Sequence, residues 1–373
     1  MTRVLNIISD SNIGGAGRVL LNYLQYADRQ HYETHIAVPT GSLLAEPLAV
    51  AGGIVHQVDG IAERSYHKED VPLLKNLIQE TKPDLVHTHG NLSGRIAAKR
   101  CNVPVVFTRH SAFPVPAKLR YPPGRWMNKW LNEHYADRII AVSPAAAKNL
   151  TDGGISSKKI TTMMNGVAPL ERISDQEQAA LRESLGVSQD EFLLGILARI
   201  EDYKGHLTIA QAVAKLKKRG YGLKVLVAGV GPYEEALRQE IEALGVSEEL
   251  LFLGFRSDVA AILSVLNCQL NASYGTETSS LSLLEGMSMG LPAIVSDYGG
   301  NPFVIDDELD GLLFPARDSE KLADCIARVM DNRAELAAMG REARNQFSKR
   351  FTGEIFAGNI EAVYASTRKG AVT

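Results

Sequence analysis

Short apolar runs alternate with helix-forming stretches along this chain, and the alternation happens twice over. In the first half, strand-like runs lie at 4–9, at 34–38, near Val55, at the ends of 83–90 and 104–111, and at 138–142 and 159–164. Helical patterns separate them at 18–26, after Ser42, at 71–80, and from Ser143-Pro144, where proline takes the first turn. The second half restarts at 192–198 and repeats the scheme, with strand-like runs at 224–228, up to 251–256 and at 291–296. The stretches 318–330, 335–349 and 353–368 read as helices, and no strand follows the last. Strands joined through helices run parallel, because each crossover returns the chain to the same edge of the sheet. The chain is therefore α/β, and 373 residues are long for a single core. The apolar pattern lapses at 166–170, so domains 1–168 and 169–352 are expected, with the helix of 353–373 left to pack elsewhere.

A net charge of −3 gives no whole-chain case for nucleic acid. Cys101, Cys268 and Cys325 lie far apart, which fits a reducing compartment and offers no metal-binding spacing. The first apolar run is too short for a signal peptide, and no run of 18 apolar residues occurs, so a cytoplasmic place is expected.

The richest stretch runs from Asn271 to Met287. A strand end passes through small residues into a helix whose Leu281, Leu284 and Met287 share one buried face. Ser279 or Ser280 stands at the N-cap, and the open N–H groups of such a helix start attract phosphate. Glu277 in the loop and Glu285 inside the helix are poor phosphate ligands but good acceptors for sugar hydroxyls. A diphosphate on the helix end, with a sugar hydroxyl near each carboxylate, describes a nucleotide-sugar. The bland alternative is a capped helix with two solvated glutamates.

Three other places carry chemistry. The loop 10–17 holds Gly14-Gly15-Ala16-Gly17 between a strand and a helix, a phosphate-approach geometry that lacks the third glycine of the dinucleotide fingerprint. Gly229-Val230-Gly231 fails the same test at Glu234. Arg199 and Lys204 flank a strand-to-helix turn, where a fork and a point charge suit a diphosphate as readily as they suit solvent. His110 ends a strand, where open parallel sheets gather ligands, while His87 and His89 project to one side of theirs without a third metal ligand nearby. Arg256 closes a strand in a loop able to line a flat base pocket.

The segment 114–137 combines Lys118, Arg120, Arg125 and Lys129 with Tyr121, Trp126 and Trp130. The two tryptophans are one helical turn apart and share a face. Packing of both indoles into the domain core is the favoured expectation. The other is a basic helix lying on an anionic membrane surface.

Together these residues resemble the retaining glycosyltransferases of family 4, over nearly the whole chain. The most specific part is Glu277 and Glu285 with seven residues between them, followed by Gly290-Leu291-Pro292 and Ser296-Asp297-Tyr298-Gly299-Gly300. Arg199, Lys204-Gly205 and Asn165-Gly166-Val167 stand in the family's order. The resemblance implies a GT-B fold: two doubly wound Rossmann-like domains facing across a cleft, the last helix crossing back to the first, acceptor-side domain. It implies a nucleotide diphosphate-sugar donor held mainly by the second domain, a UDP-sugar in preference to a GDP-sugar, and a glycan or lipid-linked acceptor of a cell-surface polysaccharide. By family role Glu285 would hold the ribose hydroxyls, Arg199 and Lys204 the diphosphate, and Glu277 the donor sugar. Ser279, Ser280 and Leu281 would supply the helix start, Arg256 would line the nucleotide, and Gly15 would approach from the first domain. His110 would sit beside the donor sugar and the acceptor. Ser279 and Ser280 replace the family's usual aromatic and glycine, and Phe303 stands where an acidic residue is common.

Transfer builds negative charge on the leaving phosphate and positive charge at the sugar carbon, by analogy with glycoside cleavage. Arg199, Lys204 and the helix-end N–H groups would stabilise the former without a metal or other cofactor. The chain contains no Asp-x-Asp, in keeping with metal-independent transfer. An epimerase or hydrolase acting on nucleotide-sugars, and a sensor that only binds them, are the competing readings.

Overall fold

The computed structural model describes residues 1–370. Among these, the chain forms two compact units: Met1–Val167 with the residues from Phe351 onward, and Ala168–Arg350. The chain thus enters the second unit after Val167, beside the expected border at 168, and leaves it after Arg350, where 352 was expected.

The first unit is built on seven parallel strands: β1 Thr2–Ile8, β2 Tyr32–Pro39, β3 Ile54–Val58, β4 Leu85–His89, β5 Val105–Arg109, β6 Arg138–Ala141 and β7 Ile160–Thr162, in the order β3-β2-β1-β4-β5-β6-β7. β1 is buried almost throughout because helices cover both its faces, which is why it reads as a continuous apolar run rather than an alternating one. Leu5 and Ile7 pack with Leu74, Ile78, Val86 and Ala97 on one side. Each such fully buried aliphatic side chain contributes roughly 1.5–3 kcal/mol. On the other side lies the last helix, Gly353–Gly370, whose Tyr364 is fully buried, meets Tyr23 edge-on at 6.2 Å and hydrogen-bonds His87 Nδ1 at 2.7 Å.

The second unit carries β8 Phe192–Leu197, β9 Leu223–Ala228, β10 Leu250–Gly254, β11 Cys268–Asn271, β12 Ala293–Ser296 and β13 Gly311–Phe314, all parallel, in the order β10-β9-β8-β11-β12-β13. In each unit the strand order reverses once, between β1 and β4 and between β8 and β11. Ligands of open parallel sheets bind outside the carboxyl ends of strands at such a reversal. The loops that follow β8 and β11 are 198–205 and 272–280; those that follow β1 and β4 begin at Ser9 and Gly90.

Helical periodicity misses the helix Leu92–Arg100, because its buried face is made of Ser93, Gly94, Ala97, Ala98 and the stem of Arg95 rather than large apolar residues. The helix expected from Arg18 begins at Gly15. A larger correction concerns 114–137. Trp126 and Trp130 do not enter the core: they are 67% and 57% exposed, and the helix Gly124–His134 buries no residue fully. Its inward face is polar. Asn128 donates to the Gly153 carbonyl at 2.7 Å, and Asn132 accepts from Arg95 at 3.0 Å. Residues 128 and 132 lie on the side of the helix opposite 126 and 130, so anchoring the asparagines turns the indoles outward.

Candidate active site

The second unit's reversal point assembles a buried ion pair from its two loops. After β8, a short 3-10 turn at Asp202–Lys204 leads through Gly205, in the left-handed region at φ +78, into the helix His206–Lys218. A side chain at 205 would collide with the Ala272 carbonyl, so only glycine lets the β8 loop lie against the end of β11. That contact aims Lys204 into the second loop, where its Nζ stands 2.9 Å from Glu277 Oε2. Asn271 Nδ2 at 3.1 Å and Ser273 Oγ at 3.0 Å donate to the same oxygen. Burial pushes the Glu277 carboxyl up, but the Lys204 ammonium and these donors more than offset it, leaving Glu277 below the usual carboxylate range and ionised at neutral pH. All three of these bonds fall on Oε2, which fixes the carboxylate and leaves Oε1 for another donor.

Behind this loop stands Gly300, whose N–H donates to the Glu277 carbonyl at 3.0 Å; any side chain there would run into the Thr278 carbonyl. The helix Leu281–Ser288 starts at Ser280, whose side chain does not cap it: its Oγ lies 3.1 Å from Ser282 Oγ, which in turn donates to the Leu197 carbonyl at the end of β8. Ser280 therefore takes none of the first-turn N–H groups. Ser279 is buried, and Leu281 and Glu285 are half-buried at the helix start and inside it.

The structure joins Lys204, Glu277 and the helix start; it holds Arg199 and Arg256 in local ion pairs instead. Arg199 is largely exposed and pairs with Glu201 at 2.9 Å. Arg256 pairs with Asp258 across 2.5 and 2.8 Å in the loop after β10. Asn271 and Ser273 carry no expected role, since nothing in the sequence marks either as a partner of Glu277 before the loop folds back on the strand end.

In the first unit, Gly15 opens its helix on the surface, and a Cβ there would touch no described atom. His110 follows β5, half-buried, with Nε2 2.9 Å from His89 Nδ1; His89 Nε2 lies 3.1 Å from Asn6 Oδ1. Burial pushes His110 down to about 4 and His89 well below its ordinary value, so both are neutral. The His87 nitrogens are taken by Tyr364 and Thr108 at 2.7 Å each, and among the described residues no three His, Cys, Asp or Glu side chains group as metal ligands.

Residues 13–169 match the model of Glycosyltransferase Family 4, and residues 177–346 that of Glycosyl transferases group 1. The D-inositol 3-phosphate glycosyltransferase of Saccharomonospora viridis is 31% identical over 72% of this chain and 68% of its own length. The UDP-Gal:alpha-D-GlcNAc-diphosphoundecaprenol alpha-1,3-galactosyltransferase of Escherichia coli is 28% identical over 74% of each chain. Among solved structures, Anabaena Alr3699/HepE in complex with UDP superposes with a TM-score of 0.84 at 20% identity, over 98% of this chain and all of that one. The lipopolysaccharide outer core galactosyltransferase WaaB superposes at 0.72, with 16% identity over 98% and 100%. Both structural matches agree with two Rossmann-like units. With its carboxylate, lysine and helix start set at the strand-order reversal, the chain belongs to the GT4-like glycosyltransferases of GT-B fold, enzymes that transfer sugar from nucleotide-sugars.

Proposed function

We propose that this glycosyltransferase moves a hexose from a UDP-sugar to a lipid-linked or glycan acceptor of a surface polysaccharide, with retention of configuration and with no metal or other cofactor. The observation that carries the proposal is the Lys204–Glu277 pair in the loop that leads into a helix start whose N-cap Ser280 makes no capping bond. The diphosphate lies on the N–H groups of Ser280 and Leu281 and on Lys204, with Arg199 turning from Glu201 to the same charge. The Glu277 Oε1 accepts a sugar hydroxyl, Glu285 takes the ribose, and Arg256 lines the base. Gly15 gives backbone approach from the first unit, and His110 meets the sugar.

The bond between the sugar carbon and the phosphate oxygen breaks as positive charge builds on the carbon. The acceptor oxygen attacks from the face the phosphate leaves, and its proton passes to the departing phosphate oxygen. The cations and N–H groups hold the negative charge that develops, each contact worth about 3 kcal/mol. In support of the UDP donor and lipid-linked acceptor stand the names of two relatives: a galactosyltransferase using UDP-Gal on a diphosphoundecaprenol-linked sugar, and a structure solved with UDP. The exposed Trp126 and Trp130, with Arg125 and Lys129 on the same helix, suit docking at the inner face of an anionic membrane, where such an acceptor resides. No helix among the described residues is long and apolar enough to cross a membrane.

A thermal-shift panel of UDP-, GDP- and ADP-sugars, followed by the anomeric configuration of the product by NMR, tests the proposal. A larger shift with UDP-sugars and a retained anomer are expected. Preference for another base, or an inverted product, overturns that part of it.

A further inference from the structure

Between Asp84 and Glu133 the chain carries eight lysines and arginines and no aspartate or glutamate, in a protein whose net charge is −3. Six of the eight are exposed, where water screens them; Arg95 and Arg109 are not. Arg95 stands a turn inside the helix Leu92–Arg100 and is 4% exposed. Its guanidinium lies 4.2 Å from the centre of the Phe107 ring, and its Nη1 donates to Asn132 Oδ1 at 3.0 Å. Its buried Nε has no hydrogen-bond partner among the described residues. Arg109 follows Phe107 by two residues and so lies on the same face of β5. It gives Nε to the Ser111 carbonyl at 3.0 Å and Nη2 to Asn149 Oδ1 at 3.4 Å, which leaves Nη1 unspent. A ring, an amide and a carbonyl satisfy donors without bringing negative charge. The acids of the neighbouring helices are engaged elsewhere: Glu133 accepts from the Ser156 N–H at 2.8 Å, and Asp152 pairs with Lys148 at 2.8 Å. Burial pushes Arg95 down to about 10, with the Arg109 charge acting the same way, and burial lowers Arg109 as well. Two like charges buried together at such a cost call for an anion that the described residues do not supply.

We infer that Arg95 and Arg109 form an anion site for the phosphate or diphosphate of the acceptor, with Arg109 in contact and Arg95 adding its charge from behind. The identity of the anion rests on the acceptor proposed above; the site itself does not. Its place in the fold suits a substrate. Arg109 ends β5, and β5 adjoins β4 at the strand-order reversal of the first unit. Asn132, the partner of Arg95, belongs to the helix whose Trp126 and Trp130 are exposed, so the pair lies beneath an element whose outer face can meet a lipid surface. The donor diphosphate has its own cation in Lys204. This second pair therefore selects the acceptor: one that carries a phosphate is taken, and a neutral glycan end is not.

Titration of inorganic pyrophosphate into the full-length protein saturated with UDP, followed by NMR of the arginine Nε–H groups, tests the site. The Arg95 and Arg109 signals should move together and saturate, and Arg109→Gln should weaken binding at least about tenfold, the scale of one charge-assisted hydrogen bond. Unmoved signals, or equal binding by Arg109→Gln, overturn the site, and the wild-type signals decide if that variant does not fold. Arg95→Met keeps a stem against Phe107 and removes the charge. Its melting temperature should hold or rise, because a buried cation without a counter-charge costs stability, while pyrophosphate binding weakens severalfold. A lower melting temperature or unchanged binding would make Arg95 a structural residue and overturn the pairing. Dodecyl phosphate against dodecyl maltoside identifies the source of the phosphate. Tighter binding of dodecyl phosphate than of pyrophosphate, with neither arginine signal moved by the maltoside, is expected of a lipid phosphate. Preference for pyrophosphate assigns the anion to a soluble phosphorylated acceptor and overturns the lipid-linked reading while the site stands. Both variants should keep the thermal shift given by UDP, so failure of this site and failure of the proposed donor are told apart.

Discussion

Lys204 Nζ lies 2.9 Å from Glu277 Oε2, and the two residues come from loops that follow adjacent strands of one sheet. The side chain of Glu277 is 7% exposed and that of Lys204 21%, so each carries its charge in a place where losing the other is costly.

Lys204→Ala should therefore act twice. Turnover is expected to fall at least about tenfold, since a charge that stabilises the leaving group is gone. Stability should fall by about 3 kcal/mol, because a buried carboxylate loses its counter-charge. The double variant Lys204→Met with Glu277→Gln removes both charges and should recover much of the stability but none of the rate. Urea midpoints and steady-state kinetics on the three proteins check this; normal turnover in Lys204→Ala removes the assignment.

Gly15→Ala offers the reverse pattern. A Cβ at 15 meets no described atom, and alanine favours the first turn of a helix by up to about 1 kcal/mol over glycine. The melting temperature should hold or rise. If the donor approaches this backbone, kcat/KM should drop about tenfold, the scale of a modest steric obstruction. Equal kcat/KM would show that no ligand comes close.

Acid should weaken the fold by forcing charge onto histidines that the fold buries neutral. His87 and His206 are each 1% exposed. Burial holds them at about 3 and about 4, with the His110 charge adding to the effect at His87 and the Lys204 charge at His206. Both folded values lie below the ordinary 6.5, so the unfolded chain takes up protons that the folded chain refuses. The stability they contribute is complete above about pH 6.5 and is lost as pH falls from there toward 4, by about 1.4 kcal/mol per pH unit for each histidine. Denaturation midpoints at pH 7, 6 and 5 measure the slope, and His87→Gln should flatten it.

Flotation with vesicles rich in anionic lipid tests the outward face of Gly124–His134. Wild type should float, less so in high salt, and Trp126/Trp130→Ala should bind at least about tenfold more weakly, the loss expected when two aromatic side chains no longer bury. Equal flotation, or none by either protein, ends the membrane reading.

The two parallel sheets were legible because buried parallel strands leave continuous apolar runs, and Glu277, Lys204 and the Ser280 helix start were legible because the glycines and small residues around them have few other reasons to cluster. The tryptophans misled because amphipathic spacing shows that a helix has two faces without showing which one turns inward; Asn128 and Asn132 settle that only through partners distant in sequence. The roles of Asn271 and Ser273 were hidden for the same reason. Each is an ordinary polar residue until the fold sets it against Glu277.

The connection between Tyr364 and His87 also orders events during synthesis. The second unit is one uninterrupted segment and has all its parts once Arg350 has left the ribosome. The first unit, although begun earlier, must wait with Tyr23 and His87 lacking their Tyr364 partner until the final helix emerges. The usual amino-to-carboxyl order of domain completion is thereby inverted, and shortened chains ending before that helix would leave a hydrophobic, histidine-bearing surface for chaperones to shield.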